Sequence, residues 1–190
     1  MNIIFFGPPG AGKGTQAEIV SKRLQIPTIS TGAMLREAIK KETASGLSAK
    51  SYVDSGALVP NEVVIGILKD RLAEEDCKNG FILDGFPRTT IQAEEFDKIL
   101  GGHGLGVTLM VDMHVPEEEL VRRILLRGKD SGRADDASEE VIRGRLDVYR
   151  MQTAVVADYY ASQNKYASVD GVGTMDEVFG RIADVIGGLE

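Results

Sequence analysis

The chain has 190 residues, a formal net charge of −7 at pH 7, ordinary apolar and charged fractions (43% and 27%), and a single cysteine. That length suits one domain with its own core, and the acidic balance argues against a general nucleic-acid or anionic-membrane surface. Cys77 alone permits neither a disulfide framework nor a cysteine zinc site, no run is long and apolar enough to span a membrane, and no basic segment with an apolar stretch opens the chain, so a reducing cytoplasm is the expected setting.

The first element, Asn2-Ile3-Ile4-Phe5-Phe6, is β-branched and aromatic and reads as a buried strand. Gly7-Pro8-Pro9-Gly10-Ala11-Gly12-Lys13-Gly14-Thr15 follows, and then Ala17, Ile19, Val20 and Leu24 at helical spacing. Strand, glycine-rich loop and helix form the context of a phosphate-binding loop. Successive backbone N–H groups can cradle phosphate oxygens at a helix N-terminus, where the dipole favours anions. Lys13 would reach the outer phosphates, and Thr15 offers a hydroxyl to Mg²⁺. Against G-x-x-x-x-G-K-[S/T], Gly14 stands where Ser or Thr is usual. The alternative is a plain strand-to-helix turn with an incidental lysine.

A short strand is expected near Thr28-Ile29, then Ser30-Thr31-Gly32 and a helix carrying Leu35, Ala38 and Ile39. Residues 43–59 read as a loosely packed helical lobe. Asn61 is a good N-cap for a helix with Val64, Ile65, Leu68 and Leu72 on its apolar face. The next strand, Phe81-Ile82-Leu83, ends in Asp84-Gly85-Phe86-Pro87-Arg88. It places a carboxylate at the carboxyl edge of the sheet, where open α/β sheets bind ligands. Asp84 is therefore either a turn or capping residue or a holder of Mg²⁺, and the phosphate loop favours the second. Thr89-x-x-Gln92 fits a capping box.

Val107–Met113 and Tyr166–Val169 are the last two strands, and helical patterns lie between all five. The alternation predicts a parallel sheet covered by helices on both faces. Pro116 opens a helix with Glu117, Glu118 and Glu119 at its positive end. Asp136-x-x-Glu139 reads as the start of another, carrying Ile142, Leu146, Tyr149 and Val156, and Thr174-x-x-Glu177 caps a terminal one. Arg122, Arg123, Arg127, Arg133, Arg143, Arg145 and Arg150 crowd one region. They imply a small, highly charged anionic ligand, or else solvated helix faces paired to nearby acids. No nucleophile–base pair is visible, which suits phosphoryl transfer.

Gly7–Thr15, Ser30-Thr31-Gly32, Asp84–Arg88 and the arginines from 123 to 145, in this order along the whole chain, resemble the adenylate kinases of the nucleoside monophosphate kinase family, in their short-lid form. Gly14 is that family's own pattern. The resemblance implies a three-layer P-loop fold with a parallel five-stranded sheet and two small mobile lobes on one domain, 1–190. The core would be 1–29, 60–126 and 137–190, the monophosphate lobe 30–59 and the lid 127–136.

It further implies that Gly10, Ala11, Gly12, Lys13, Gly14 and Thr15 wrap the ATP phosphates, with Arg123, Arg127 and the Gly173 carbonyl also meeting ATP. Arg127 would also lie near the adenine. Thr31, Arg36, the backbone of Ala57, Leu58 and Val59, and Gly85, Phe86, Pro87, Arg88 and Gln92 would bind AMP. Arg133 and Arg145 would meet the transferring phosphoryl group or the AMP phosphate. Lys13, Arg88, Arg123, Arg133 and Arg145 would form the catalytic set. Mg²⁺ would accompany ATP, through Asp84 by way of water and through Thr15, with no structural zinc. A monomer acting on ATP, AMP and ADP is the family expectation, without nucleic acid or membrane.

Three readings compete. A UMP/CMP kinase shares the short lid but usually lacks the equivalents of Thr31 and Gln92. A GTP-binding switch needs Asn-Lys-x-Asp, and Asn164-Lys165-Tyr166-Ala167 lacks the Asp. A catalytically dead nucleotide-binding module would not be expected to keep Lys13, Asp84, Arg88 and the arginine cluster.

Overall fold

The computed structural model describes residues 1–136 and 138–187. Residue 137, where the third core segment was expected to begin, and residues 188–190 lie outside the described residues. The elements are β1 (Asn2–Phe6), α1 (Lys13–Leu24), β2 (Thr28–Ser30), α2 (Thr31–Lys40), α3 (Ala44–Ser55), α4 (Asn61–Leu72), β3 (Phe81–Asp84), α5 (Thr90–Gly101), β4 (Leu109–His114), α6 (Glu117–Ser131), α7 (Glu139–Val148), α8 (Val156–Ala161), β5 (Tyr166–Asp170) and α9 (Met175–Ile186).

The five strands form one parallel sheet in the order β2-β3-β1-β4-β5. Alternate residues of each strand serve opposite faces. Ile4, Phe6, Phe81, Leu83 and Met110 join one core with α2, α3, α4, α5 and α8. Ile3, Phe5, Ile82, Val111 and Met113 join the other with α1, α6, α7 and α9. Burial on both faces explains why these strands read as continuous apolar runs rather than alternating ones.

Under the Asp84–Arg88 run, Phe96 of α5 meets Phe86 at 5.5 Å and Phe81 at 6.2 Å, both edge to face. All three rings are buried, so the turn after β3 is pinned from below. The Phe86–Pro87 peptide within it is cis.

Helices α2 and α3 form a hairpin, and its packing depends on one glycine. A Cβ at Gly46 would stand 2.1 Å from the Ala38 carbonyl oxygen, so only glycine allows α3 to cross α2 this closely.

Four local expectations need correction. Helix α4 starts at Asn61 itself with Pro60 as its cap residue, because the Asn61 side chain is used elsewhere. Thr89 does cap α5 by accepting from the Gln92 N–H, but the Gln92 side chain returns to Arg88 instead of Thr89, so the box is only half formed. Ser138, not Asp136, caps α7, since the Asp136 carboxylate is held by two arginines. The single helix read through Val156 is broken by a π-helical turn at Tyr149–Thr153, and Tyr149 and Thr153 face the cleft described next. The Thr174–Glu177 box is complete as expected.

Candidate active site

Loops from the carboxyl ends of β1, β2 and β3 converge where the strand order switches, the usual ligand edge of such a sheet. They line a cavity of about 660 Å³. Its walls include the 7–15 loop, Asp84, Gly85, Arg88, Arg36, Leu58, Arg127, Arg133 and Arg145.

The loop after β1 owes its shape to close packing. Gly7 has φ +127°, and a Cβ there would lie 2.6 Å from the Met113 carbonyl oxygen. No other residue would let the loop lie so close to β4 in that conformation. Lys13 donates to the Gly7 and Pro8 carbonyls, both at 2.8 Å, leaving one ammonium hydrogen free. Desolvation in the cleft, with Arg88, Arg145 and Arg127 nearby, lowers its pKa to about 8 despite the attraction of Asp84.

Asp84 faces this loop: an added Cβ on Gly14 would be 3.5 Å from Asp84 Oδ2, which accepts from the Ser30 hydroxyl at 3.3 Å. Gly85 anchors the other side. Its carbonyl accepts from Thr31 Oγ1 at 3.0 Å and from Arg88 Nε at 2.8 Å. This leaves the terminal nitrogens of Arg88 facing the cleft, where desolvation and repulsion from Arg145 lower its pKa. Desolvation and then Arg133 do the same to Arg36, so Arg36 of α2 and the arginines of the 127–136 segment approach each other across the cavity. Like charges held together in this way call for an anion between them.

Residues 135 and 136 supply part of it. Asp136 accepts from Arg127 at 2.7 and 2.9 Å and from Arg145 at 2.7 Å, and Asp135 lies 3.1 Å from Arg145. Burial raises the Asp136 pKa, but the hydrogen bonds from Arg127 and Arg145 outweigh this and leave it below the ordinary value.

The sequence-predicted residues separate into three places. Lys13, Arg36, Asp84, Arg88, Arg127, Arg133 and Arg145 share the main cavity. Thr31, Leu58, Val59, Gly85, Arg88 and Gln92 line a small adjoining recess of about 20 Å³. Arg123 lies outside both linings. It bonds Glu119 at 2.7 Å and the Gly171 carbonyl at 3.2 and 3.3 Å. A Cβ on Gly171 would sit 3.4 Å from the Ala11 carbonyl, so the turn that holds Gly173 abuts the phosphate loop, and Arg123 marks that end.

The other arginines follow the bland reading. Arg122 pairs with Glu119, Arg143 with Glu117, Glu118 and Glu139, and Arg150 with Glu117 and Asp147, all on exposed surfaces. Sequence reasoning missed Asp135, Asp136 and the role of Asn61. Two adjacent acids just after Arg133 were the available signal for the first pair.

Fold and cleft together define a P-loop nucleotide phosphotransferase. A family model described as adenylate kinase matches residues 5–165. The chain is similar to an adenylate kinase of Leptospira biflexa serovar Patoc, 50% identical over 176 residues covering 93% of this chain and 94% of that protein. It is 45% identical over 190 residues to one of Parabacteroides distasonis, covering both chains completely. With one of Geotalea uraniireducens it shares 46% identity over 214 aligned positions, 99% of each chain, so that relative carries residues with no counterpart here. The chain belongs to the adenylate kinase family.

Proposed function

We propose that this cleft transfers the terminal phosphoryl group of ATP directly to AMP, giving two ADP, and runs equally in reverse. The observation that carries the reading is the convergence of Lys13, Arg36, Arg88, Arg127, Arg133 and Arg145 on one cavity, with the Asp84 carboxylate opposite the loop. Phosphoryl transfer needs positioning and charge neutralisation more than covalent catalysis, and these residues are of that kind.

In this reading the 10–15 loop and Lys13 hold the ATP phosphates, and Arg88 and Arg36 hold the AMP phosphate. Arg127, Arg133 and Arg145 surround the group in flight, Arg127 and Arg145 exchanging some of their bonds to Asp135 and Asp136 for phosphate oxygens. Arg123 and the Gly173 carbonyl serve the adenine end of ATP. Thr31, the backbone of residues 57–59, Gly85, Phe86, Pro87 and Gln92 form the AMP base pocket. Residues 30–59 and 127–136 act as the two closing lobes, which exclude water from competing with AMP.

Asp84 fits a hard divalent cation. One of its oxygens bonds only Ser30, and among the described residues no protein donor occupies the other. Mg²⁺ typically takes one or two carboxylates and fills its shell with water and phosphate oxygens, so Asp84, with the Thr15 hydroxyl, would hold it beside ATP. When bound, the ion neutralises charge on those oxygens. A cytoplasmic monomer is the setting proposed with this activity. No helix among the described residues is long and apolar enough to cross a membrane.

The test supplies ADP and Mg²⁺ alone and follows ³¹P resonances. Equal growth of ATP and AMP, without inorganic phosphate, supports transfer between nucleotides rather than to water. Release of phosphate, or no conversion, rejects it.

A further inference from the structure

The Gln92 side chain meets Asn61, and the chain of donors and acceptors fixes the direction of every bond between them. Arg88 N is a backbone donor and lies 2.7 Å from the Gln92 amide oxygen. That contact settles which end of the Gln92 amide points where. Its nitrogen must then face Asn61, which it meets at 2.9 Å, so Asn61 must present its oxygen. The same oxygen accepts from Thr89 Oγ1 at 3.3 Å, and Thr89 Oγ1 in turn accepts from the Gln92 backbone N–H at 3.2 Å. Asn61 Oδ1 is the acceptor on which the whole network ends.

Gln92 is 1% exposed, and it lines the recess beside Thr31, Val59 and Arg88. Its amide therefore keeps one unused N–H and one unused lone pair. That is the complement of the adjacent donor and acceptor on the edge of adenine. Asn61 also stands at the first turn of α4, immediately after the 57–60 segment that joins the small lobe to the core.

We propose that Asn61 is a specificity-positioning residue: it holds the Gln92 amide in the one orientation that reads the base of the acceptor monophosphate. This inference rests on the proposed role of Gln92 as the base reader. Asn61 itself does not touch the substrate in this account. What the position needs is a side-chain acceptor, not an amide, so aspartate serves as well as asparagine, and it suits the N-terminal turn of a helix. Leucine has similar bulk and no acceptor. It leaves the buried Gln92 nitrogen without its partner and free to turn.

The experiment measures kcat/KM for AMP, GMP, CMP and UMP, with ATP as donor, in Asn61→Leu, Asn61→Asp and Gln92→Leu. The expected result for Asn61→Leu is a preference for AMP over CMP reduced about tenfold or more, through a raised AMP KM, with the KM for ATP held within about twofold. Asn61→Asp is expected to recover most of the preference. Unchanged selectivity in Asn61→Leu while Gln92→Leu loses it overturns the role of Asn61 alone. Unchanged selectivity in Gln92→Leu overturns the base-reading role on which it depends. Equal loss in Asn61→Asp and Asn61→Leu also overturns the proposal, because the acceptor was then not what mattered. Thermal melting of each variant accompanies the kinetics. A variant that loses AMP and ATP use together with its melting transition reports a structural role and counts against the proposal.

Discussion

Arg145 Nη1 stands 2.7 Å from Asp136 Oδ1, and the Asp136 side chain has no exposed surface. Arg127 binds the same carboxylate from the other side. The 127–136 segment thus brings its own anion to two arginines that the proposed reaction needs for phosphate. A buried carboxylate held by two guanidinium groups is costly to lose, because removing it strands two like charges. It also fixes both arginines in place before any substrate arrives, which is how preorganised charge stabilisation works.

Asp136→Asn keeps the shape and removes the charge. We expect it to lower kcat about tenfold and stability by about 1–3 kcal/mol, a fall of several degrees in Tm. Steady-state kinetics and thermal melting of one preparation check both. The pairing also sets a pH dependence. The folded pKa of Asp136 lies below its ordinary value, so this contribution is fully present above the ordinary carboxylate range and is lost as pH falls through the lowered one.

Lys13 gives a second pH signature of the same sign, at higher pH. Its pKa of about 8 in the free protein lies below that of an unfolded lysine, so its contribution to stability rises with pH between those two values. Phosphate oxygens favour the charged ammonium and should raise the pKa again. Nucleotide binding at pH 8.5 is therefore expected to take up a proton, and at pH 6.5 to take up almost none. Calorimetry in two buffers of different ionisation enthalpy measures the uptake. No difference between the two pH values would remove Lys13 from contact with the phosphates.

Lys13→Met should lower turnover at least about a hundredfold while leaving the melting transition intact. The side chain lies at the cleft and bonds only loop carbonyls, so the core does not depend on its charge. Turnover near that of the unmodified chain would exclude it from the mechanism.

Arg88→Ala should raise the KM for AMP far more than the KM for ATP. Gly85 holds the Arg88 Nε, and the two terminal nitrogens are left to grip a phosphate together. An unchanged AMP KM would return Arg88 to a structural part of the turn.

The sheet was readable because strands buried on both faces write themselves as apolar runs: Ile3 to Phe6 and Phe81 to Leu83 could hardly be anything else. Lys13, Asp84 and Arg88 were readable because each sits at a fixed offset from the end of such a strand. Side chains whose partners are distant were not. Asn61 and Asp136 both looked like helix caps, because a cap is the local use of a short polar side chain. Their partners lie 31 and 9 residues away, and tertiary contact decided the matter. The π-helical turn at Tyr149 is equally silent in sequence, since its apolar spacing continues that of α7. Arg123 and Arg127 share a helix and a spacing of four, yet one is claimed by Gly171 and the other by Asp136.

The most direct test of the whole account is the choice of acceptor. With ATP and Mg²⁺ held constant, initial rates are measured for AMP, GMP, CMP and UMP across a range of concentrations. The account predicts a kcat/KM for AMP at least about a hundredfold above that for either pyrimidine, since a site built to pair a base's donor and acceptor strands its own polar groups when the wrong base enters. A kcat/KM for UMP or CMP equal to that for AMP, or above it, would contradict it.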